Sequence, residues 1–269
     1  MSVVAQGIAF RRNGRDILAD AGLAAAAGEV TAIIGANGSG KTTLMRHLTG
    51  EIAPESGAVR LNGHDLARLP PSALARIRGV LPQASVLSFP FTVAEVVAIG
   101  AEAAIRPDPS RIPAALARVD LAGYGARMYQ QLSGGEQARV QFARVLAQVW
   151  EPVTEAGPAW LFLDEPVSSL DIAHQLWVMR EGRAFARAGG GVVVVLHDLN
   201  LTAMFADRVV LMARGRVLAA GPPAEVMTTE TLSLAYGCRI AVGEAPPSGL
   251  FVLPQAADGW EAAQSGGAR

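Results

Sequence analysis

Apolar positions along the chain follow two different periods, and the switches between them outline the elements. Residues 30–34, 160–163 and 192–196 are short, almost wholly apolar runs, which read as buried parallel strands. Residues 1–34 read as β-rich, with Ile8 and Phe10 on one strand face and Asn13-Gly14 as a hairpin turn. Residues 58–63 predict a short strand and turn, and 79–82 a strand ending at Gln83. Residues 208–212 and 216–219 predict a hairpin around Arg214-Gly215. Helices are expected over 44–48, 72–77 and 112–119, over 172–187, after Asp198, and over 222–227 with proline near its start. Two further helices carry capping boxes: Thr92 with Glu95, running toward Gly100, and Ser133 with Glu136, running to about Trp150. Pro152, Gly157 and Pro158 predict an interrupted loop before Trp160. Residues 250–253 read as one last strand, and the end after Ala256 as loose.

Strands alternate with helices except over 85–150, which read as all-helical. The expectation is an α/β core, 1–84 and 151–236, with a helical subdomain 85–150 inserted and a partly irregular C-terminal extension 237–269. A length of 269 residues suits one such domain. With 51% hydrophobic and 17% charged residues, a large core is available. A net charge of -1 gives no support to a nucleic-acid surface, so no nucleic-acid partner is expected. The single cysteine, Cys238, rules out an intrachain disulfide and fits a reducing compartment. The first residues lack a basic segment followed by an apolar one, so no signal peptide is expected. No apolar run approaches the ~18 residues that a membrane span needs.

Chemistry concentrates at Gly35-Ala36-Asn37-Gly38-Ser39-Gly40-Lys41-Thr42-Thr43, which fits the phosphate-cradling loop G-x-x-x-x-G-K-[ST]. An apolar strand precedes it and a helix follows, as the motif requires. Glycines let the backbone approach a ligand, and its N–H groups, with the helix start, attract phosphate oxygens. Lys41 would reach the β- and γ-phosphates, and the Thr42 hydroxyl would hold Mg²⁺. A second motif, residues 160–163, ends in Asp164 and Glu165. Asp164 can reach Mg²⁺ through water, and Glu165 can polarise a water that attacks the γ-phosphate.

Further motifs carry a resemblance. Leu132-Ser133-Gly134-Gly135-Glu136-Gln137 looks like the signature of ATP-binding cassette (ABC) ATPases. Gln83 sits where their Q-loop glutamine sits, Ser168-Ser169-Leu170-Asp171 resembles the D-loop, and His197 resembles the switch histidine. They occur in the family's order over residues 1–236. The resemblance implies a RecA-like P-loop NTPase core with an N-terminal antiparallel β subdomain, and ATP and Mg²⁺ as ligands. It implies catalytic roles for Glu165, His197 and Gln83, with Thr42, Gln83 and Asp164 near the metal. Ser133, Gly134, Gly135 and Glu136, with Asp171, would close over ATP held by the P-loop of a second copy, giving a head-to-tail homodimer. One departure concerns the base. Many members stack an aromatic on adenine near residues 10–14, where this chain aligns Arg12; a guanidinium can also stack there.

His197-Asp198-Leu199-Asn200-Leu201-Thr202-Ala203 resembles cassettes of importers for iron chelates, cobalamin and heme. Leu81-Pro82-Gln83 and Leu87-Ser88-Phe89-Pro90-Phe91-Thr92-Val93 resemble the hemin-import branch more closely, as does the loop before Trp160. The implied protein is the ATP-hydrolysing subunit of a bacterial importer, peripheral on the cytoplasmic face of the inner membrane. Its implied partners are two transmembrane permease subunits and, indirectly, a periplasmic binding protein. Another iron chelate, cobalamin, or a soluble ABC ATPase role are the alternatives. No direct heme contact is expected, although His47, His64, His174, His197 and Cys238 could suggest ligands: His47 lies on the P-loop helix, His197 has a nucleotide role, and Cys238 precedes Arg239 rather than proline.

Overall fold

The computed structural model describes residues 1–83 and 89–256. The chain opens with β1 (Ser2–Arg12) and β2 (Arg15–Ala26), an antiparallel pair turned by Asn13 and Gly14, both at positive φ. β1 shifts register after Ala5, Ile8 and Phe10, and these irregularities bend it. Ile8 is buried and Phe10 half-buried, its ring edge-on to His47 at 5.1 Å. β3 (Val30–Gly35) leads into α1 (Lys41–Leu48), followed by β4 (Ser56–Leu61), β5 (His64–Asp65), α2 (Pro71–Ile77) and β6 (Arg78–Leu81). Then come α3 (Val93–Ala103), α4 (Arg111–Arg118) and α5 (Gly134–Gln148). After the small hairpin β7 (Val153–Thr154) and β8 (Gly157–Pro158) the frame resumes with β9 (Trp160–Asp164), α6 (Ile172–Arg187) and β10 (Gly191–Val195). It ends with α7 (Leu199–Phe205), β11 (Arg208–Ala213), β12 (Arg216–Gly221), α8 (Pro223–Val226) and α9 (Thr229–Tyr236).

One sheet has the order β2-β1-β4-β5, the other β12-β11-β3-β10-β9-β6. In the second, only β12 runs antiparallel. All residues of β3, β9 and β10 are buried, which explains their unbroken apolar sequences. Alternate residues serve opposite cores. Val192 and Val194 join Ile34, Leu161 and Leu163 against the helical side. Val193 and Val195 join Ile33, Trp160 and Phe162 against α1 and the β1–β2 sheet. The structure is thus the expected α/β frame with an antiparallel β layer and a run of helices between β6 and β7. In that run α3 and α5 touch closely: a Cβ on Gly100 would lie 1.9 Å from the Arg144 carbonyl oxygen.

Two expectations need correction, and one helix is unexpected. The loop before Trp160 is the hairpin β7–β8, tied down where Asn62 Nδ2 donates to Pro158 O at 2.9 Å and Trp160 Nε1 donates to Asn62 Oδ1 at 3.0 Å. Residues 250–253 form no strand; they have no partner strand among the described residues, and Leu250 is 98% exposed. Conversely, α9 has no counterpart in the sequence reading. Its capping box uses Thr228 with Thr231, not the acidic or amide partner that marks such a box in sequence. Leu87, Ser88 and the segment beyond Ala256 lie outside the described residues.

Candidate active site

Five strands deliver or support the site at their C-terminal ends, the edge where open α/β sheets bind ligands. β3 ends at Gly35, with φ 143° and an imaginary Cβ only 2.2 Å from Met212 O, so the strand passes hard against β11. Gly38 (φ 77°) and Gly40 (φ 101°) carry the turn that follows. Gly40 caps α1 without a side-chain bond, and no acidic residue occupies the first turn. Its first amides therefore remain open to an anion. Gly215, in the β11–β12 turn, donates its N–H to Ser39 O at 3.0 Å and so braces the loop. Asn37 and Gly38 are exposed, and Thr43 is half-buried. Ser39 Oγ is buried and has no hydrogen-bond partner among the described residues.

Lys41 is only 5% exposed; its ammonium donates to Gly35 O at 2.8 Å and Ala36 O at 3.1 Å. Burial pulls its pKa below the usual lysine value, against the opposing pull of Glu165 and Asp164. Thr42 Oγ1 donates to Asp164 Oδ1 at 3.3 Å. Burial, then the neighbouring Glu165 charge, hold the Asp164 carboxyl above the ordinary aspartate value. Glu165 itself sits at φ 52°, its amide donating to Val195 O at 3.2 Å. That left-handed turn aims its carboxylate back over the strand ends. Gln83 Nε2 donates to Glu165 Oε2 at 2.9 Å, and His197 Nε2 meets Oε1 at 2.5 Å. Gln83 after β6 and His197 after β10, 82 and 32 positions from Glu165 in sequence, thus hold its carboxylate between them.

Ser133 caps α5 reciprocally. Glu136 accepts from Ser133 N at 2.8 Å and Oγ at 2.7 Å, bonds that draw its pKa down, while Glu136 N donates to Ser133 Oγ at 3.3 Å. The amides of Gly134 and Gly135 have no intrahelical acceptor. A cleft of about 150 Å³ runs from Gln83 and Glu165 past Ser168 and Ser169 to Gly134. The start of α5 therefore lies beside the loop after Glu165 within one chain. Asp171 caps α6, accepting from His174 N at 2.9 Å with His174 Nδ1 at 2.8 Å. The His174 amide bond draws the Asp171 pKa down.

The family model described as "ABC transporter" matches residues 18–168. The chain belongs to the ABC transporter family. A hemin import ATP-binding protein of Roseobacter denitrificans is 56% identical over 260 residues, 96% of this chain and 99% of that protein. One of Jannaschia sp. is 61% identical over 232 residues, 86% of each chain. One of Rhizobium johnstonii is 52% identical over 256 residues, 93% of this chain and 97% of that protein. Among solved structures, an ATP-binding subunit of an ABC transporter shares the fold at TM-score 0.75 and 24% identity, covering 84% of this chain and 92% of that one. A bacterial Atm1-family ABC exporter with ATP bound gives TM-score 0.73 and 27% identity over 84% of this chain and 39% of that one.

The ABC transporter ATPase domain binds nucleotide, and the protein is an ATPase coupled to transport. No helix among the described residues is long and apolar enough to cross a membrane. Arg12 ends β1 opposite Arg15, exposed, while its neighbour Arg11 pairs with Asp16 at 2.5 Å. The same hairpin flanks the phosphate loop: an added Cβ on Gly40 would meet Leu18 Cδ2 at 2.8 Å. Sequence reasoning missed the supporting residues Met212 and Gly215. Nothing local signals them, because their contacts to the loop arise from strand order.

Proposed function

We propose that this chain is the ATP-hydrolysing subunit of a bacterial hemin importer, acting as a pair of identical subunits on the cytoplasmic face of the inner membrane. The observation that carries the chemistry is the convergence of Gln83 and His197 on the two oxygens of Glu165. The cargo rests on relatives named as hemin import ATP-binding proteins across nearly the whole chain. The reading divides the chain into a cassette, 1–236, with 85–150 as its helical arm, and an extension from 237.

ATP enters the cradle at Gly35–Thr43. Lys41 exchanges its two loop carbonyls for phosphate oxygens, and Ser39 Oγ, buried without a hydrogen-bond partner among the described residues, gains one. The Thr42 hydroxyl, Asp164 and the Gln83 amide form an all-oxygen donor set, which suits Mg²⁺. When bound, that ion neutralises charge on the β- and γ-phosphates. Glu165 accepts a hydrogen bond from the attacking water and polarises it. His197 and Gln83 keep the carboxylate aimed, and Gln83 reports whether the γ-phosphate is present. Arg12 lies flat on the adenine. The second copy supplies Ser133 and the open amides of Gly134 and Gly135, aided by Glu136 and Asp171. Ser133 Oγ must then turn from Glu136 to the phosphate.

The buried Asp164 carboxylate carries a cost that the nucleotide-free chain should reveal. Its folded pKa is raised, so its ionised form weakens folding at pH above that value, and the penalty fades as pH falls into the ordinary aspartate range. Asp164→Asn is therefore expected to melt higher than the parent at pH 8, with the gap closing at low pH, while Mg²⁺-dependent hydrolysis is lost. Equal melting at pH 8 would contradict this electrostatic account.

Coupling to the permease is assigned to the aromatics before α3. Phe91 packs on the helical core, its carbonyl accepting from Tyr129 N at 2.9 Å, whereas Phe89 is 71% exposed. Phe89→Ala should leave melting and ATP affinity unchanged and weaken pull-down by the permease; Phe91→Ala should lower melting. Normal assembly with Phe89→Ala would move the coupling surface elsewhere. The cargo is tested by ATPase activity of the reconstituted complex with its binding protein. Stimulation by hemin supports the reading, and stimulation by cobalamin or a ferric chelate alone overturns the cargo.

A further inference from the structure

Residues 250–253, Leu-Phe-Val-Leu, form the most exposed apolar run among the described residues. Exposure alternates along it: Leu250 98%, Phe251 49%, Val252 72%, Leu253 48%. Leu250 and Val252 thus point outward, while Phe251 and Leu253 are half covered by the chain itself. Contiguous exposed apolar residues, unlike apolar residues scattered singly, are a feature of interaction surfaces. The run is also anchored. Directly after it a short 3-10 turn, Pro254–Ala256, holds Gln255, whose Nε2 donates to Asn200 Oδ1 at 3.1 Å. Asn200 belongs to the first turn of α7, where its own amide donates to Asp198 Oδ1 at 2.7 Å. That turn begins two residues after His197, whose ring meets Glu165.

The tail is therefore fastened to the start of the helix that follows His197, and the reading above assigns His197 to the nucleotide site that a second copy closes. The tail's surroundings set it apart from Phe89, the apolar residue assigned to the permease, which lies just before α3 in the helical arm. We infer that the outward edge of this tail, Leu250 and Val252, is buried by the second copy of this chain in the ATP-bound dimer. The inference rests on the dimer reading and adds a contact that the nucleotide motifs do not supply. Such an edge explains why the chain keeps branched apolar residues on a segment with no strand to join.

The test uses the full chain carrying Glu165→Gln, so that ATP is bound and retained, with Leu250→Ser and Val252→Ser added together. Both side chains are exposed, so melting temperature and ATP affinity should not move. Sedimentation with Mg-ATP should show the dimer dissociation constant rising roughly 10- to 100-fold, as expected for two apolar side chains left unburied. An unchanged constant overturns the inference while leaving the dimer reading intact. An unchanged constant together with lost permease binding assigns the tail to the membrane subunit and equally overturns it. If the Glu165→Gln chain does not dimerise at all, the dimer reading fails, and this inference with it.

Discussion

Glu165→Gln is expected to bind ATP and to hydrolyse it about 10²–10⁴-fold more slowly than the parent chain. The substitution keeps the size of the side chain but removes its charge and half of its acceptor capacity. In the parent, Oε2 accepts from Gln83 Nε2 and Oε1 meets His197 Nε2. Glutamine presents one oxygen and one NH₂ to the same two neighbours. Its NH₂ must face either the Gln83 amide donor or the histidine ring, so the arrangement around the water is broken as well as neutralised. ATP binding depends on the cradle at β3 and α1, which the substitution does not touch. The readouts are single-turnover hydrolysis and equilibrium ATP binding. Near-normal turnover would remove Glu165 from the chemistry.

Lys41→Ala is expected to raise the ATP dissociation constant on the order of 10²-fold, the loss of charge-assisted contacts to phosphate. The ammonium is buried and already desolvated, its pKa drawn down by that burial. It is therefore held ready, resting on two carbonyls of its own loop, and little reorganisation precedes its transfer to phosphate. Its removal leaves Gly35 O and Ala36 O without that donor, so melting of the nucleotide-free variant should fall only modestly. Fluorescent-nucleotide titration separates the two effects. An unchanged dissociation constant would mean that the loop amides alone carry the phosphates.

The contrast between these residues and the rest of the fold shows what a sequence makes visible. β3, β9 and β10 are legible because both their faces are buried, which leaves no polar position in the pattern. α6 is legible because Asp171 caps it and its apolar spacing persists to Arg187. α9 is not, since Thr228 and Thr231 form its cap and β-branched residues argue against a helix locally. The run 250–253 has strand-like residues, yet strand formation needs a partner, and no described strand pairs with it.

The site divides in the same way. Lys41, Thr42, Asp164 and Glu165 announce themselves through spacing, because phosphate binding constrains consecutive residues. The pairing of Gln83 and His197 on separate oxygens of Glu165 depends on β6, β9 and β10 lying side by side, which no local pattern encodes. The bracing of Ser39 O by Gly215 likewise follows from β11 lying against β3. For Ser133 the sequence shows both a helix cap and an anion site; the structure puts its hydroxyl in the cap.

That dual use of Ser133 gives the most direct test of the central claim, that one chain completes the nucleotide site of another. The measurement is sedimentation of Glu165→Gln with and without Mg-ATP, beside the same chain also carrying Ser133→Arg. Loss of the cap costs about 1 kcal/mol of folding stability and leaves the phosphate cradle intact. The account predicts that ATP converts the first protein to a dimer, and that the second binds ATP with the same affinity yet stays monomeric. A Glu165→Gln chain saturated with Mg-ATP and still monomeric, or a Ser133→Arg variant that dimerises as readily, would contradict it.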